Sequence, residues 1–177
     1  ELIRDRVGLI LADELLNQAA ITYEDLFLAT VYVQRYKPIH PEECPLINVS
    51  IDSALFDNQT IIDSDVTCNV FIDVFTTGSY DGNNRGDVLS SFDAQKLAGV
   101  CVAILSNPLY VTLGFDRPFI MRSKVSNIDP GTIERGESTN LSVVRLTLSV
   151  KASQDEPTQD AISPFISQTT VKLAETD

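Results

Sequence analysis

The sequence predicts an α+β domain, with two helices packed on one face of a mostly antiparallel sheet, followed by a C-terminal extension. Three observations support this prediction. Leu2 to Ala20 places apolar residues three and four positions apart, as does a segment from about Asp87 to Ser106. Asp65 to Phe75 and Leu141 to Lys151 alternate apolar and polar residues, which is typical of half-buried strands. Helices and strands in this order favour a two-layer domain with the helices on one face of the sheet.

The first helix is followed by two predicted strands and a loop between them. Leu26 to Tyr36 has strand propensity, and Leu46 to Ser53 is the second strand. Pro38, Pro41 and Pro45 lie between them, and proline has a fixed φ and no amide donor. The intervening segment is therefore predicted to be a stiff, protruding loop that holds the two strands apart.

The middle of the chain contains the longest alternating strand. Asp52 to Ser64 is polar and is interpreted as a connector. Asp65 to Phe75 follows, with one face made of Val66, Cys68, Val70, Ile72 and Val74. The stretch from Thr76 to Gly86 is rich in glycine, asparagine and aspartate, so an exposed turn is predicted there.

The second helix is predicted from about Asp87 to Ser106, with Asp87 or Ser90 as its N-cap and Asn107-Pro108 as its end. Its predicted buried stripe is Leu89, Phe92, Leu97, Val100, Cys101 and Ile104.

The rest of the chain is predicted to be strands and a polar extension. Leu109 to Leu113 and Phe119 to Ile128 are predicted strands, and residues 129–140 a loop. Leu141 to Lys151 is a further strand, with Val144, Leu146, Leu148 and Val150 pointing inward. We therefore expect a domain over residues 1–151, and a polar linker with a C-terminal arm or last strand over residues 152–177.

Charge and composition exclude several classes of protein. The chain has 177 residues, a formal net charge of -12 and a pI near 4.3. Such a surface repels phosphate, so direct nucleic-acid binding is not expected. The sequence predicts no stretch with the roughly 18 apolar residues of a membrane span, so no membrane association is expected. Cys44, Cys68 and Cys101 are widely spaced and include no CxxC, which predicts unpaired thiols in a reducing cytosol and no metal site.

Few residues offer catalytic or metal chemistry. His40 is the only histidine and no recognisable motif supplies it with a partner, so an exposed loop position is predicted for it. The loop from Asp81 to Asp87 fails the EF-hand pattern, because Arg85 and Phe92 occupy the fifth and twelfth positions. The acidic residues Asp52, Asp57, Asp63 and Asp65 are interpreted as a solvated stretch. No enzyme activity and no cofactor are therefore expected.

Four segments together resemble a known family. In chain order they are VYVQRYKPIHPEECPLINVSI (from Val31), DVTCNVFIDVF (from Asp65), DVLSSFDAQKLAGVCVAIL (from Asp87) and NLSVVRLTLSV (from Asn140). With the helix before them, they resemble the tail terminator proteins of long-tailed bacteriophages, small proteins that cap a finished tail tube. The resemblance covers about Leu2 to Lys151.

The resemblance implies a structural virion protein of the tail or neck, assembled in the host cytoplasm as a ring, usually a hexamer. Its expected partners are other copies of itself, the tail tube protein and the head–tail connector protein. DNA would pass through the ring without specific binding, which suits the acidic balance. The residues expected to contact partners, on two exposed loops, are Pro38, His40, Pro41, Asp81, Asn83, Asn84 and Arg85.

Three alternatives stay open. The chain could be another neck component, such as a head–tail joining or tail-completion protein. It could be an extracellular calcium-dependent binding domain that uses the loop from Asp81 to Asp87. The third alternative is a hydrolase that depends on His40 or on the cluster from Asp52 to Asp65. The segment 152–177 exceeds what the resemblance needs, and we expect it to wrap an adjacent subunit or a partner ring by strand addition.

Overall fold

The computed structural model describes residues 1–57, 65–79, 86–115, 119–131, 134–135 and 139–153. Its helices and strands are α1 (Leu2–Thr22), β1 (Thr30–Val33), β2 (Leu46–Asp57), β3 (Asp65–Ser79), α2 (Gly86–Leu105), β4 (Ile120–Pro130), β5 (Glu134–Arg135) and β6 (Thr139–Ser153). Short 3-10 turns are found at Asp25–Phe27, Pro41–Glu43 and Pro108–Tyr110.

The strands form one sheet in the order β1-β2-β3-β6-β4, with β5 pairing to β6. All neighbours are antiparallel except β1 and β2, which are parallel. Helix α1 packs on β1 and β2, and α2 packs on β3 and β6. The predicted fold class, two helices on a mostly antiparallel sheet, is therefore confirmed.

The core lies between the helices and one face of the sheet. Leu11 and Leu15 of α1 and Leu97 of α2 meet apolar strand residues there. Because side chains alternate along a strand, every second residue of β3 and β6 points into this layer. The four residues of β6 predicted to point inward, Val144, Leu146, Leu148 and Val150, are all buried.

Strand pairing corrects the predicted connections of the middle strands. β2 continues to Asp57, so residues 52–57 are strand and not connector, and β3 continues to Ser79 through part of the predicted turn. Long ladders with neighbouring strands override the local turn composition, because each added pair satisfies backbone hydrogen bonds. β6 likewise extends to Ser153, beyond residue 151.

The segment from Leu109 to Leu113 is not a strand. Pro108 opens a 3-10 turn, and the Asn107 side chain accepts a hydrogen bond from the Leu109 amide at 3.0 Å. Leu113 has a positive φ of 52°, which no strand allows, and its carbonyl accepts a 2.9 Å hydrogen bond from Arg6 of α1. Local capping and this contact with α1 outweigh β propensity.

Helix α2 differs from the prediction at its start and on its surface. It begins at Gly86, so Asp87 and Ser90 lie inside it. Ser90 is buried and shares a 2.8 Å hydrogen bond with Ser142 of β6, so packing rather than capping explains its position. Phe92, predicted to be buried, is exposed, whereas Ala94 and Ala98 face the sheet.

One helix among the described residues is long and apolar enough to cross a membrane, contrary to the expectation from the sequence. The window Val88–Leu105 has a mean hydropathy of 1.5. Leu97 and Cys101 in this window are completely buried against the sheet, as in the core helix of a two-layer domain.

The start of α2 passes very close to β3 at Gly78. A Cβ atom added to Gly78 would lie 2.2 Å from the carbonyl oxygen of Gly86 and 2.8 Å from the amide nitrogen of Ser90. Both are backbone atoms that cannot rotate away. Position 78 of β3 therefore requires glycine, because a side chain there would collide with the backbone at the start of α2.

We expect Gly78→Ala to lower the free energy of unfolding by about 2 kcal/mol or more, since helix and strand must separate to admit the methyl group. Gly99→Ala is the matched control, because Gly99 lies in the same helix and its added Cβ would meet nothing within 4 Å. That variant should be neutral or up to about 1 kcal/mol more stable, as alanine favours helix. Urea unfolding of both variants tests this, and equal stabilities would contradict it.

Candidate functional site

The loop between β1 and β2, residues 34–45, crosses the face of the sheet opposite the helices. It leaves β1 through Gln34, whose φ of 58° turns the chain back. The turn Pro41–Glu43 then lies against β6, so the loop passes over the sheet before it returns to β2. Because β1 and β2 pair in parallel, the loop does not hold them apart as predicted, but brings the chain back to the start of a neighbouring strand.

The side chain of Asn48 in β2 binds the backbone of the loop at Arg35. Its Oδ1 accepts a hydrogen bond from the Arg35 amide at 3.0 Å, and its Nδ2 donates to the Arg35 carbonyl at 3.2 Å. Asn48 is only 9% exposed. Because the side-chain amide of Asn48 both donates and accepts, it takes the place of a neighbouring strand for Arg35. The backbone amide and the backbone carbonyl of Arg35 are therefore both hydrogen-bonded.

Arg35 joins the two arms of the loop. Its guanidinium lies 4.6 Å from the ring centre of Tyr32, and one of its nitrogens donates to Glu43 Oε2 at 2.7 Å and to the Pro38 carbonyl at 3.1 Å. Glu43 Oε2 also accepts from the His40 amide at 3.1 Å. These hydrogen bonds lower the pKa of Glu43, with the one from Arg35 contributing most. The loop is thus closed on itself by a charged pair.

A row of polar residues crosses the sheet beneath and beside the loop. Tyr32, Asn48, Asp73, Arg145 and Asp129 are successive partners in the register of β1, β2, β3, β6 and β4. The row lies on the face opposite the core, because its members alternate with the buried apolar residues of the same strands.

The centre of this row is a two-pronged ion pair. Arg145 donates from Nε to Asp73 Oδ1 at 2.6 Å and from a second nitrogen to Oδ2 at 2.9 Å. Asp73 is 6% exposed, and the guanidinium also lies 4.4 Å from the ring centre of Phe71. The pair raises the pKa of Arg145. Such a paired carboxylate tolerates burial that an unpaired one would not.

The loop presents three of the residues predicted to contact partners. Pro38, His40 and Pro41 are exposed at its outer side, with Tyr36 and Lys37 beside them. The other four predicted contact residues, Asp81, Asn83, Asn84 and Arg85, lie outside the described residues. Their role, and that of the first three, stays a prediction. Sequence reasoning located the loop, but not the residues Asn48, Asp73 and Arg145 that support it.

The described residues bring together no group of three metal-ligating side chains. Asp52 is exposed on β2, and Asp57 pairs with Asp65 in the register of β2 and β3, whereas Asp63 lies outside the described residues. The described residues of the acidic stretch therefore belong to the strands β2 and β3.

All three cysteines are free thiols, as expected. Burial raises the pKa of the Cys101 thiol to about 12 and that of Cys44 to about 11, and it also raises the pKa of Cys68. A thiol reacts as its thiolate, so none of the three is poised as a nucleophile at neutral pH.

Comparison with known proteins identifies no family. No family model and no curated protein matches the chain. Among solved structures, one chain of "Virion of native gene transfer agent (GTA) particle" is similar, with a TM-score of 0.46 and 14% sequence identity over 80% of this chain and 91% of that chain. A likeness of this size carries no argument about function.

Loss of the Arg145 guanidinium should destabilise the domain. Arg145→Met leaves the buried Asp73 carboxylate without its partner, and we expect the free energy of unfolding to fall by about 1–3 kcal/mol. The control Arg122→Met removes an exposed arginine from the adjacent strand β4. It should change the free energy of unfolding by less than about 0.5 kcal/mol. Denaturant unfolding measures both. Equal losses in the two variants would show that the ion pair contributes nothing specific.

Asn48 should control the order of the loop. In Asn48→Ala the Arg35 amide loses its acceptor, and we expect its hydrogen exchange to quicken by about tenfold or more. The amide of Gln34 donates to the Val49 backbone carbonyl at 2.8 Å, so it is an internal control whose exchange should change much less. Amide-resolved exchange by NMR compares the two sites. The role assigned to Asn48 is wrong if the Arg35 amide stays protected.

The thiols should react slowly in the folded protein. With a pKa near 11, Cys44 is about one-thousandth thiolate at pH 8, and Cys101, with a pKa near 12, is about ten times less ionised. We expect iodoacetamide to modify Cys44 before Cys101, and both to react at ordinary rates once the protein is unfolded in guanidinium. Mass spectrometry at successive times follows each site. Rapid modification of Cys101 in the folded protein would contradict its burial.

Proposed function

We propose that this chain is a structural virion protein without catalytic activity, which caps a phage tail tube as a ring, stops its polymerisation and joins it to the head connector. One observation carries the proposal. The predicted contact loop is held in a defined shape over the open face of the sheet by Asn48, Arg35 and Glu43, while Pro38, His40 and Pro41 remain exposed. A preorganised exposed loop is a surface for binding another protein, because little conformational entropy is lost when it docks.

The order of the helices and strands also supports the proposed function. Elements α1, β1, β2, β3, α2 and β6 contain, in order, the segments on which the resemblance to tail terminators depends. The loop from Gln34 to Pro45 joins the first two of these strands. A contact surface on a rigid sheet is suited to recognising the end of a tube by shape.

Charge supports the proposed place in a DNA channel. A ring made of chains with a net charge of -12 repels phosphate, so DNA would pass without being held. A protein that grips DNA would need cations concentrated on one surface.

The proposal is tested by native mass spectrometry of the protein, and by electron microscopy of the protein mixed with tail tube protein. We expect a ring, and tubes of limited length with the ring at one end. His40→Ala combined with Pro41→Ala should weaken the capping of tubes and leave the ring intact. A matched control changes Leu109→Ala, an exposed residue on the 3-10 turn after α2.

A strict monomer that does not bind tubes would overturn the proposal. Binding to the connector protein alone would favour the alternative of another neck component. Stabilisation by calcium that a chelator reverses would favour the calcium-dependent binding domain.

A further inference from the structure

A groove at the end of α1 combines apolar and polar groups. Leu16 and Leu28 are 58% and 55% exposed and line this groove, which has a volume of about 430 Å³. Asn17, Glu24 and Asp25 line it as well. An apolar cleft with a few polar groups is the usual form of a site that receives an apolar side chain. We call this cleft the α1 groove.

Tyr23 also lines the α1 groove, in a backbone conformation that disfavours a tyrosine. It ends α1 with φ 59° and ψ 31°, in the left-handed region, and its amide donates to the Ala19 carbonyl at 2.9 Å. Glycine or asparagine is usual at such a helix end, because a larger side chain is strained there. The Tyr23 side chain is 91% exposed, so packing within the domain does not explain it. Strained backbone and exposed tyrosine are both typical of binding surfaces.

One acidic side chain of the α1 groove has no ion pair among the described residues. Glu24 is paired with Lys96 of α2, whereas Asp25 is exposed and has no such partner. A segment that fills the groove should therefore bring apolar side chains and a positive charge.

The C-terminal arm, residues 154–177, has this composition in its second half. Its large apolar residues are Ile162, Phe165, Ile166, Val171 and Leu173. Lys172, the only cation of the arm, lies among them, whereas Asp155, Glu156 and Asp160 precede them. The apolar part is therefore separated from β6 by an acidic stretch, which the acidic groove would repel.

The α1 groove and the end of β6 lie at opposite ends of the sheet. Thr30, two residues after Leu28, is level with Val143 of β6 through the register of the strands between them. Ser153 ends β6 ten residues further on, from 143 to 153, so strand rise and strand spacing place it about 35 Å from the groove end of the sheet. Phe165 reaches about 40 Å beyond Ser153 at full extension. A path around the domain exceeds the straight line, so the arm reaches the groove of an adjacent copy more readily than its own.

The edges of the sheet favour docking in the groove over strand addition. The described sheet has β1 and β4 at its edges. β1 has only four residues, and the register of β4 is broken at Ile120/Arg122 and at Val125/Asn127. Short strands and bulges at an edge oppose the addition of another strand.

We propose that the C-terminal arm of one copy inserts apolar side chains, among them Phe165, into the α1 groove of the next copy, with Lys172 near Asp25. The contact joins two different surfaces, so repetition closes a ring where the rotation permits. The inference rests on the proposed ring and names the contact that links its copies.

Cross-linking of the full-length protein tests the contact directly. Leu28→Cys and Phe165→Cys are placed on two copies with different tags, which are co-expressed and treated with a short thiol cross-linker. We expect linked pairs that carry both tags, about tenfold more than when Leu109→Cys replaces Leu28→Cys, because bound groups have a high effective concentration. Leu109 is exposed and lies outside the groove. If a chain that carries both Leu28→Cys and Phe165→Cys links only within itself, the arm fills its own groove and the inference is overturned.

Substitutions test the contact by their effect on assembly, measured by native mass spectrometry and sedimentation. Leu28→Glu and Phe165→Glu should each raise the dissociation constant between copies by about tenfold or more. The matched controls Leu109→Glu and Thr158→Glu place the same charge outside the groove and outside the apolar part of the arm, and should leave it unchanged. Thermal melting confirms that each variant folds.

Tyr23→Gly separates binding from folding. In a Phe165→Glu background it should raise the melting temperature, because glycine adopts the left-handed region without strain. In the wild-type background it should weaken assembly by about fivefold or more. A purely structural role of Tyr23 would not move stability and assembly in opposite directions.

A charge exchange makes the test specific. Asp25→Lys alone should weaken assembly, and Asp25→Lys combined with Lys172→Glu should recover at least part of it, because complementary signs are restored across the contact. If the wild type forms rings and Leu28→Glu and Phe165→Glu do so equally well, the inference is wrong and the proposed function stands. If Leu28→Glu keeps the ring but loses tube binding, the groove receives the tube protein and the inference is overturned. A wild type that stays monomeric overturns the inference, and the proposed function falls with it if tubes are not bound.

Discussion

The polar row on the open face of the sheet, with Asn48 and Asp73 buried at its centre, is the constraint on which this structure depends. The helices cover only one face of the sheet. On the opposite face, the buried side chains of Asn48 and Asp73 and the backbone of Arg35 need hydrogen-bond partners. The side-chain amide of Asn48 and the ion pair between Asp73 and Arg145 supply them. Two features follow from this arrangement: the long strands stay paired across their polar face, and the loop from Gln34 to Pro45 acquires a fixed position over them.

The two faces of the domain differ in the polarity of their exposed residues. The open face of the sheet is polar and closed by hydrogen bonds, and its loop projects Pro38, His40 and Pro41. The helix layer leaves the apolar side chain of Phe92 largely exposed to water. Under the proposed function the domain would meet other proteins by the shaped loop on its open face.

The periodic elements could be read from the sequence because packing on one face imposes a repeat on it. Such repeats predict α1, the centres of β3 and β6, and the inward residues Val144 to Val150. Local signals failed where distant pairing decided the outcome. Thr76 to Ser79 looks like a turn but pairs with β6. Leu109 to Leu113 looks like a strand but forms turns, which hydrogen bonds with Asn107 and Arg6 hold in place. Of the candidate site, the sequence indicated the proline loop and the exposure of His40.

The sequence by itself determined the fold class, the positions of the long elements and the acidic balance of the protein, because each is a property of residue order or composition. Only the tertiary structure decided that β1 and β2 are parallel and that the loop between them lies on the sheet. It alone paired Asp73 with Arg145, which are far apart in the chain, and exposed Phe92 rather than burying it. These outcomes depend on which strands become neighbours and which side of a helix meets them, and a single element does not carry that information.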